Sequence, residues 1–573
     1  MMKFLRLAFF VVILGALYRA NAQICSGGNC TANSCGTTDV QNCLNATGGG
    51  GTCTIPSGTC TWTSGVSWSN GAALTGAGAG RVIAVDSETT AISLGTGTKT
   101  FSNVTNDMGA SAYLNNTAPA IATGETLRII EDGWAQNYMQ GTVAGYSSGT
   151  LVMNITSEGG TCGSADTNGM SSNCKRWLIA TLPSTVICNN LTGGGNLFTM
   201  GESTSAHMAL SGIFVGNGTD PRCSGVTAAG QIVGMDYTSG GLPMLIHDNF
   251  FERETTPETI RSNTNRGVIW NNSFVASQFS TDQDAAISVV DSSGSTLGSS
   301  WSTRSYWGNA DTGGNQSVYF ETNDIHAYNV GWTDCDSNCR LVIRYNFIDN
   351  SGGSTHGADT GPYGMRTLEW YNNAGWFQAY SDGTTAAITW WLFVRGGTFV
   401  WHDNSMPAIS STDWGSKADV EVTVMTLQRE DQYSCWGAGF TTPGEYYPAP
   451  RQVGFGYVTG KGAVTYPPLG YTNSSTTANG AYVGDSEPAY IWNNGRTMNV
   501  VVSDFGLNNG SLSCPASPTP DSSASYIVSG RDYFNGTAKP GYTPYPYPHP
   551  LTQSSNPVAP APPANLAGQV APK

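Results

Sequence analysis

Glu321, Arg344, Tyr371 and Glu369 are the residues of this chain whose types and spacing could do chemistry together. Glu321, Arg344 and Tyr371 each stand two places before an asparagine, at Asn323, Asn346 and Asn373, and Glu369 stands four places before Asn373. Two carboxyls flanking a glycosidic bond can hydrolyse it, one protonating the leaving oxygen and the other activating water, when their oxygens lie ~6.5 to 9.5 Å apart. A cation between them would keep one ionised, while burial must raise the pKa of the acid. Trp270, Tyr319 and Tyr371 offer flat faces for sugar rings, and His247 and His402 occupy the same place in the frame as Trp270. The plainer reading of the charged residues is a surface ion pair worth ~0 to 1 kcal/mol.

A second group follows Asn346: Asp349, His356, Asp359 and Arg366. His356 could act as acid, base or sugar ligand near neutral pH, Asp359 could orient it or hold a cation, and Arg366 could bind substrate. A polar turn held by Gly and Asp explains the same residues. Asp324, His326, Asp334 and Asp336 precede it, with Cys335 and Cys339 able to clip the loop, so calcium stays open although no cofactor is required. No Gly-x-Ser-x-Gly elbow opens a helix, which sets a triad hydrolase aside.

These residues can meet only if the asparagines mark a structural repeat. The segments LIHDNFF, VIWNNSF, YFETNDI, VIRYNFI, LEWYNNA, VWHDNSM and YIWNNGR share one frame, with asparagines at 249, 272, 323, 346, 373, 404 and 494. Two intervals are 23 residues, and repeats of that size indicate a stacked solenoid, longer intervals carrying loops or extra turns. Positions three and five before each asparagine are mostly apolar, and a period of two means a strand. Positions two and four must then face outward and stack in columns ~4.8 Å per step, which sets the Glu321 and Glu369 Cα atoms on the order of 10 to 12 Å apart. Each asparagine is expected to close a turn in a left-handed conformation and to bond along the stack.

The short strands, Asn corners and Gly-rich turns resemble the right-handed parallel β-helix of the pectin lyase-like superfamily. "IPSGTCTWTSGVSWSNGAALTGAG" from Ile55 resembles the first rungs of such proteins, and "GRDYFNGTAKPGYTPYPYPHPL" from Gly530 resembles the end of secreted bacterial β-helix-repeat proteins. The resemblance spans about residues 50 to 551 and implies an all-β single solenoid acting on polysaccharide. Of the motifs of pectin-hydrolysing members, only "TND" at Thr322 and "THG" at Thr355 have echoes, so none of their catalytic residues is carried over. Lyase members use a basic residue against a uronate, for which Arg340, Arg344, Arg366 and Arg395 are the candidates.

Residues 1–22 carry Lys3 and Arg6, an apolar run and an Ala20-Asn21-Ala22 cleavage pattern, the signature of an export signal. No later segment is long and apolar enough to cross a membrane. All 14 cysteines follow the signal, six of them between 25 and 60, which predicts a disulfide-rich N-terminal cap over 23–60. The solenoid is expected over 61–551 with insertions near 278–316 and 407–488, and a disordered Pro/Ala-rich tail over 552–573. A net charge of −15 disfavours nucleic acid and gives polyuronates little attraction. The expected partner is a polysaccharide, with hydrolysis first, β-elimination second and noncatalytic glycan binding or a structural cell-surface role third. Oligomeric state is not legible.

Overall fold

A computed structural model describes residues 24–553, apart from short internal stretches and seven longer ones at 107–120, 291–306, 377–391, 405–423, 429–452, 474–484 and 504–526. Residues 1–22, where an export signal is expected, and the residues beyond 553 lie outside the described residues, as do His356 and Asp359.

One rung shows how the chain winds. Met244–His247 lies in sheet 1, Phe250–Arg253 in sheet 2 and Glu258–Ser262 in sheet 3, and Gly267–Trp270 returns to sheet 1 directly beside Met244–His247, in parallel. Repetition builds sheets of thirteen, eleven and six strands, parallel except for the hairpin Ile24–Ser26 and Asn29–Thr31 at the edge of the first, a right-handed parallel β-helix. Ile246, Ile269, Phe320, Ile343, Trp370, Trp401 and Ile491 form one inward column, none more than 1% exposed. Trp370 stacks on Trp401 with ring centroids 4.6 Å apart. Each sheet 1 strand from 244 to 492 pairs with the next sheet 1 strand in sequence, so every asparagine interval, including that of 90 residues, advances sheet 1 by one strand.

The asparagines form a continuous buried ladder. Asn272 Nδ2 donates to Asn323 Oδ1 at 3.0 Å, Asn323 to Asn346 at 3.2 Å, Asn346 to Asn373 at 3.0 Å and Asn373 to Asn404 at 3.1 Å. Each Oδ1 also accepts the backbone N–H of the preceding asparagine, and each Nδ2 reaches a sheet 1 carbonyl of the rung below, as Asn346 does to Phe320. The expected left-handed asparagine is corrected: the residue before it takes that conformation, Asp248, Asn271, Thr322, Tyr345, Asn372, Asp403 and Asn493 having φ of 51 to 58°. The strained turn residue points outward and frees the asparagine to point in.

The helix Thr37–Ala46 sets Val40, Cys43 and Leu44 against the first rungs and closes the end of the apolar column. Disulfides Cys25–Cys30, Cys35–Cys60 and Cys43–Cys53 staple this cap, and Cys335–Cys339 clips its loop as the spacing suggests. Cys435 and Cys514 lie outside the described residues.

Residues 81–181 depart from the expected solenoid. They form a seven-stranded antiparallel sheet inserted after Ala73–Thr75, with its own core around Trp177, Ile129 and Met153. It packs Val82, Ile130 and Leu178 onto Phe214 and Phe250 beneath sheet 2. Alternation of apolar and polar residues is common to rungs and hairpins, so period alone does not separate them. The available signal is Ser148-Gly149, both at positive φ, which closes a two-residue hairpin between Trp134–Ser147 and Thr150–Gly159. In the other direction, Ala285–Val290, inside the expected insertion at 278–316, is an ordinary sheet 3 strand.

Candidate functional site

On the outer face of sheet 1, the register aligns His247, Trp270, Glu321, Arg344, Tyr371, His402 and Trp492 on successive strands. A neighbouring column holds Val268, Tyr319, Val342 and Glu369. Glu321 Oε2 accepts from Arg344 Nε at 2.8 Å, with Nη2 at 2.6 Å, and Arg344 Nη1 donates to Tyr371 Oη at 2.9 Å. His247 stacks on Trp270 at 4.2 Å, and His402 lies between Tyr371 at 4.9 Å and Trp492 at 4.1 Å.

The expectation of an open wall is corrected. Glu321 is 1% exposed, Glu369 3% and Arg344 0%. They are covered by the chain's own end, a strap over residues 536–553 that leaves the last sheet 1 strand, Tyr533–Asn535, and runs back to a short helix, Pro550–Gln553, over Gly267–Trp270. Arg344 donates to the carbonyls of Tyr545 at 2.7 Å and Pro546 at 3.0 Å. The His549 amide donates to Glu321 Oε1 at 2.9 Å, Tyr542 Oη donates to Glu369 Oε2 at 2.5 Å, and Tyr547 stacks on Tyr345 at 3.5 Å. Sequence reasoning missed these partners, taking 530–551 as a last piece of solenoid. The signal was Pro at 544, 546, 548 and 550, which removes the amide at every second position and forbids a ladder strand.

The two carboxyls sit in different surroundings. Glu321 faces the Arg344 guanidinium. Burial pushes Glu369 from its ordinary 4.5 up to about 7, although its Oε1 accepts the Gly308 amide at 2.8 Å and Tyr542 donates to its other oxygen. Tyr319 donates to Asp311 at 2.8 Å, and burial raises its phenol. Burial also pulls His549 down to about 3, with Arg344 adding to the shift, so the strap histidine is neutral at physiological pH. Arg366 is buried away from this pair, 3.2 Å from Glu487, and burial lowers it to about 10. In Arg344, burial lowers the pKa, but Tyr371 and Glu321 outweigh it and the net shift is upward, which opposes a role as base.

The expected calcium group does not assemble on one wall. Asp324 and His326 lie on sheet 2, and Asp334 and Asp336 on sheet 3. Among the described residues, no group of three or more His, Cys, Asp or Glu side chains is placed to hold a metal ion. Nor is any described helix long and apolar enough to cross a membrane.

Glu369 predicts a pH dependence of stability. Between pH 4.5 and about 7 the unfolded carboxyl has lost its proton while the folded one keeps it, so the Glu369 contribution to stability falls with rising pH across that window and is flat above it, against the opposite slope that His549 gives below its ordinary 6.5. A shift of that size is about 3 kcal/mol. Glu369→Gln is expected to remove this part of the slope, measured as the denaturant midpoint of both proteins from pH 4 to 8; parallel profiles would refute the assignment.

No protein-family model and no curated protein matches the chain. Among solved structures it is similar to the Pseudomonas phage phi297 tailspike gp61, at 11% identity and TM-score 0.18 over 68% of this chain and 65% of that one. It is also similar to the tailspike gp49 of Pseudomonas phage LKA1, at 12% identity and TM-score 0.20 over 68% and 73% of the two chains. A third is the Gp54 tailspike of Acinetobacter baumannii bacteriophage AP22, solved in complex with A. baumannii capsular saccharide, at 8% identity and TM-score 0.17 over 67% and 62%. The chain thus spans just under two thirds of the phi297 tailspike, and its own strand register, not these likenesses, establishes the β-helix.

Proposed function

We propose that this chain is an exported, polysaccharide-facing β-helix whose sheet 1 wall carries a two-carboxylate hydrolytic site, Glu369 as acid and Glu321 as base. The observation that carries it is the contrast between the two carboxyls: Glu321 is paired with Arg344, whereas burial holds Glu369 at about 7, a shift that a polymer covering it in the strap's place would preserve, letting it deliver a proton near neutral pH. Tyr319, Tyr371 and Trp270 would line the polymer, with His247 and His402 as flanking contacts, while Arg366 is buried against Glu487. Membership of the pectin lyase-like superfamily belongs to the same proposal, as does export, supported by six disulfides among the described residues.

The covered wall favours a second reading, a noncatalytic glycan-binding or structural cell-surface rod, because a polymer cannot reach Glu321 or Glu369 while the strap is docked. The test is incubation of the full chain and its Glu321→Gln and Glu369→Gln variants with homogalacturonan, alginate, soluble xylan and dextran. Hydrolysis predicts new reducing ends without unsaturated-sugar absorbance, and at least a hundredfold loss of rate in each variant. Unchanged cleavage in both variants would exclude this site; absorbance from an unsaturated product would instead assign a lyase.

A further inference from the structure

Residues 536–553 contact the wall in the manner of a bound peptide. Rung strands join by in-register backbone ladders, whereas the strap is gripped through side chains: Arg344 holds two of its carbonyls and Glu321 one of its amides. Alternate prolines leave it amides along one edge only and favour an extended form that loses little entropy on docking. Its outer side is open, with Gly541, Thr543, Pro546 and Pro550 exposed. At one end Lys539 sits over the Trp307 ring at 4.5 Å and the Tyr490 ring at 4.9 Å; at the other Leu551 packs on the apolar cluster that contains Trp270.

We propose that the strap is a removable, autoinhibitory segment of the chain, and that its lifting opens the Glu321 and Glu369 wall to an extended polymer. Its effect on activity rests on the proposed function; its release does not. Docking takes a carboxyl out of water at Glu369, which faces Arg344, Tyr319 and Tyr371 from its own sheet, Asp311 from the 307–311 segment, and Tyr542 and Lys539 from the strap. Lifting the strap returns that carboxyl to water, so Glu369 weakens docking as pH rises from 4.5 to about 7, while His549, neutral when docked and free to take a proton below its ordinary 6.5 when lifted, opposes it up to that pH.

Hydrogen exchange on the full chain tests this. The His549 amide, bonded to Glu321, and the Asn309 amide, bonded to Thr543, report the strap, and the amides of Asn272, Asn323 and Asn346 report the ladder. Strap amides are expected to be at least tenfold less protected than ladder amides after correction for intrinsic rates. Tyr547→Ala, which removes the ring stacked on Tyr345, should cost the strap another tenfold without changing the ladder. Lys539→Ala provides the same comparison from the other end. Equal protection of strap and ladder, or equal loss in the variants, would overturn the proposal. Release without any gain in binding or cleavage of the four polysaccharides would overturn the autoinhibitory role and the wall's proposed function, leaving the release itself standing.

Discussion

Asn346→Leu is expected to lower the unfolding free energy by about 4 kcal/mol, because two buried donors and a carbonyl lose their partners at once and each such group costs ~1 to 3 kcal/mol. The orphans are the Asn323 backbone N–H, one hydrogen of Asn323 Nδ2, whose other still reaches the Ile269 carbonyl, and the Phe320 carbonyl, and Asn373 Oδ1 loses one of its two donors. Water cannot substitute, since Asn323, Asn346 and Asn373 are all 0% exposed. At the end of the ladder Asn494 is only partly buried, so the same change there is expected to cost about 1 kcal/mol. Urea unfolding of the two variants compares them directly, and equal losses would mean the ladder does not depend on exclusion of water.

Arg344→Met is expected to cost about 3 to 5 kcal/mol, the range for breaking a buried ion pair from one side. The loss leaves the Glu321 carboxylate buried with the His549 amide but without its cation, and strips the strap carbonyls of Tyr545 and Pro546 of their donor. The double variant Arg344→Met, Glu321→Leu removes both charges, and a well-packed apolar pair often matches an ion pair in stability, so it should be more stable than Arg344→Met alone. A double variant no more stable than the single would show that the strap contacts, and not the uncompensated charge, dominate. The same cycle followed by exchange of the His549 amide would separate strap loosening from global unfolding.

The rungs and columns were legible because they are local and repeated. Two apolar positions and an asparagine recur in each segment, and one offset aligns Glu321, Arg344 and Tyr371 as the register does. The placement of left-handed backbone one residue earlier was not legible from composition, since Asp, Asn, Thr and Tyr all occupy it. The antiparallel insertion at 81–181 was hidden by its shared period of two.

By itself the sequence determined the winding: strand period, corner residue and side-chain alternation are set by backbone geometry within one rung and repeated on the next. Only the tertiary structure decided whether the outer columns meet solvent. That outcome depends on a contact between His549 and Glu321, 228 residues apart, which occurs once and leaves no periodic trace. The same burial moves Glu369 to about 7, a shift that desolvation by the folded strap and loop creates and no local residue pattern encodes.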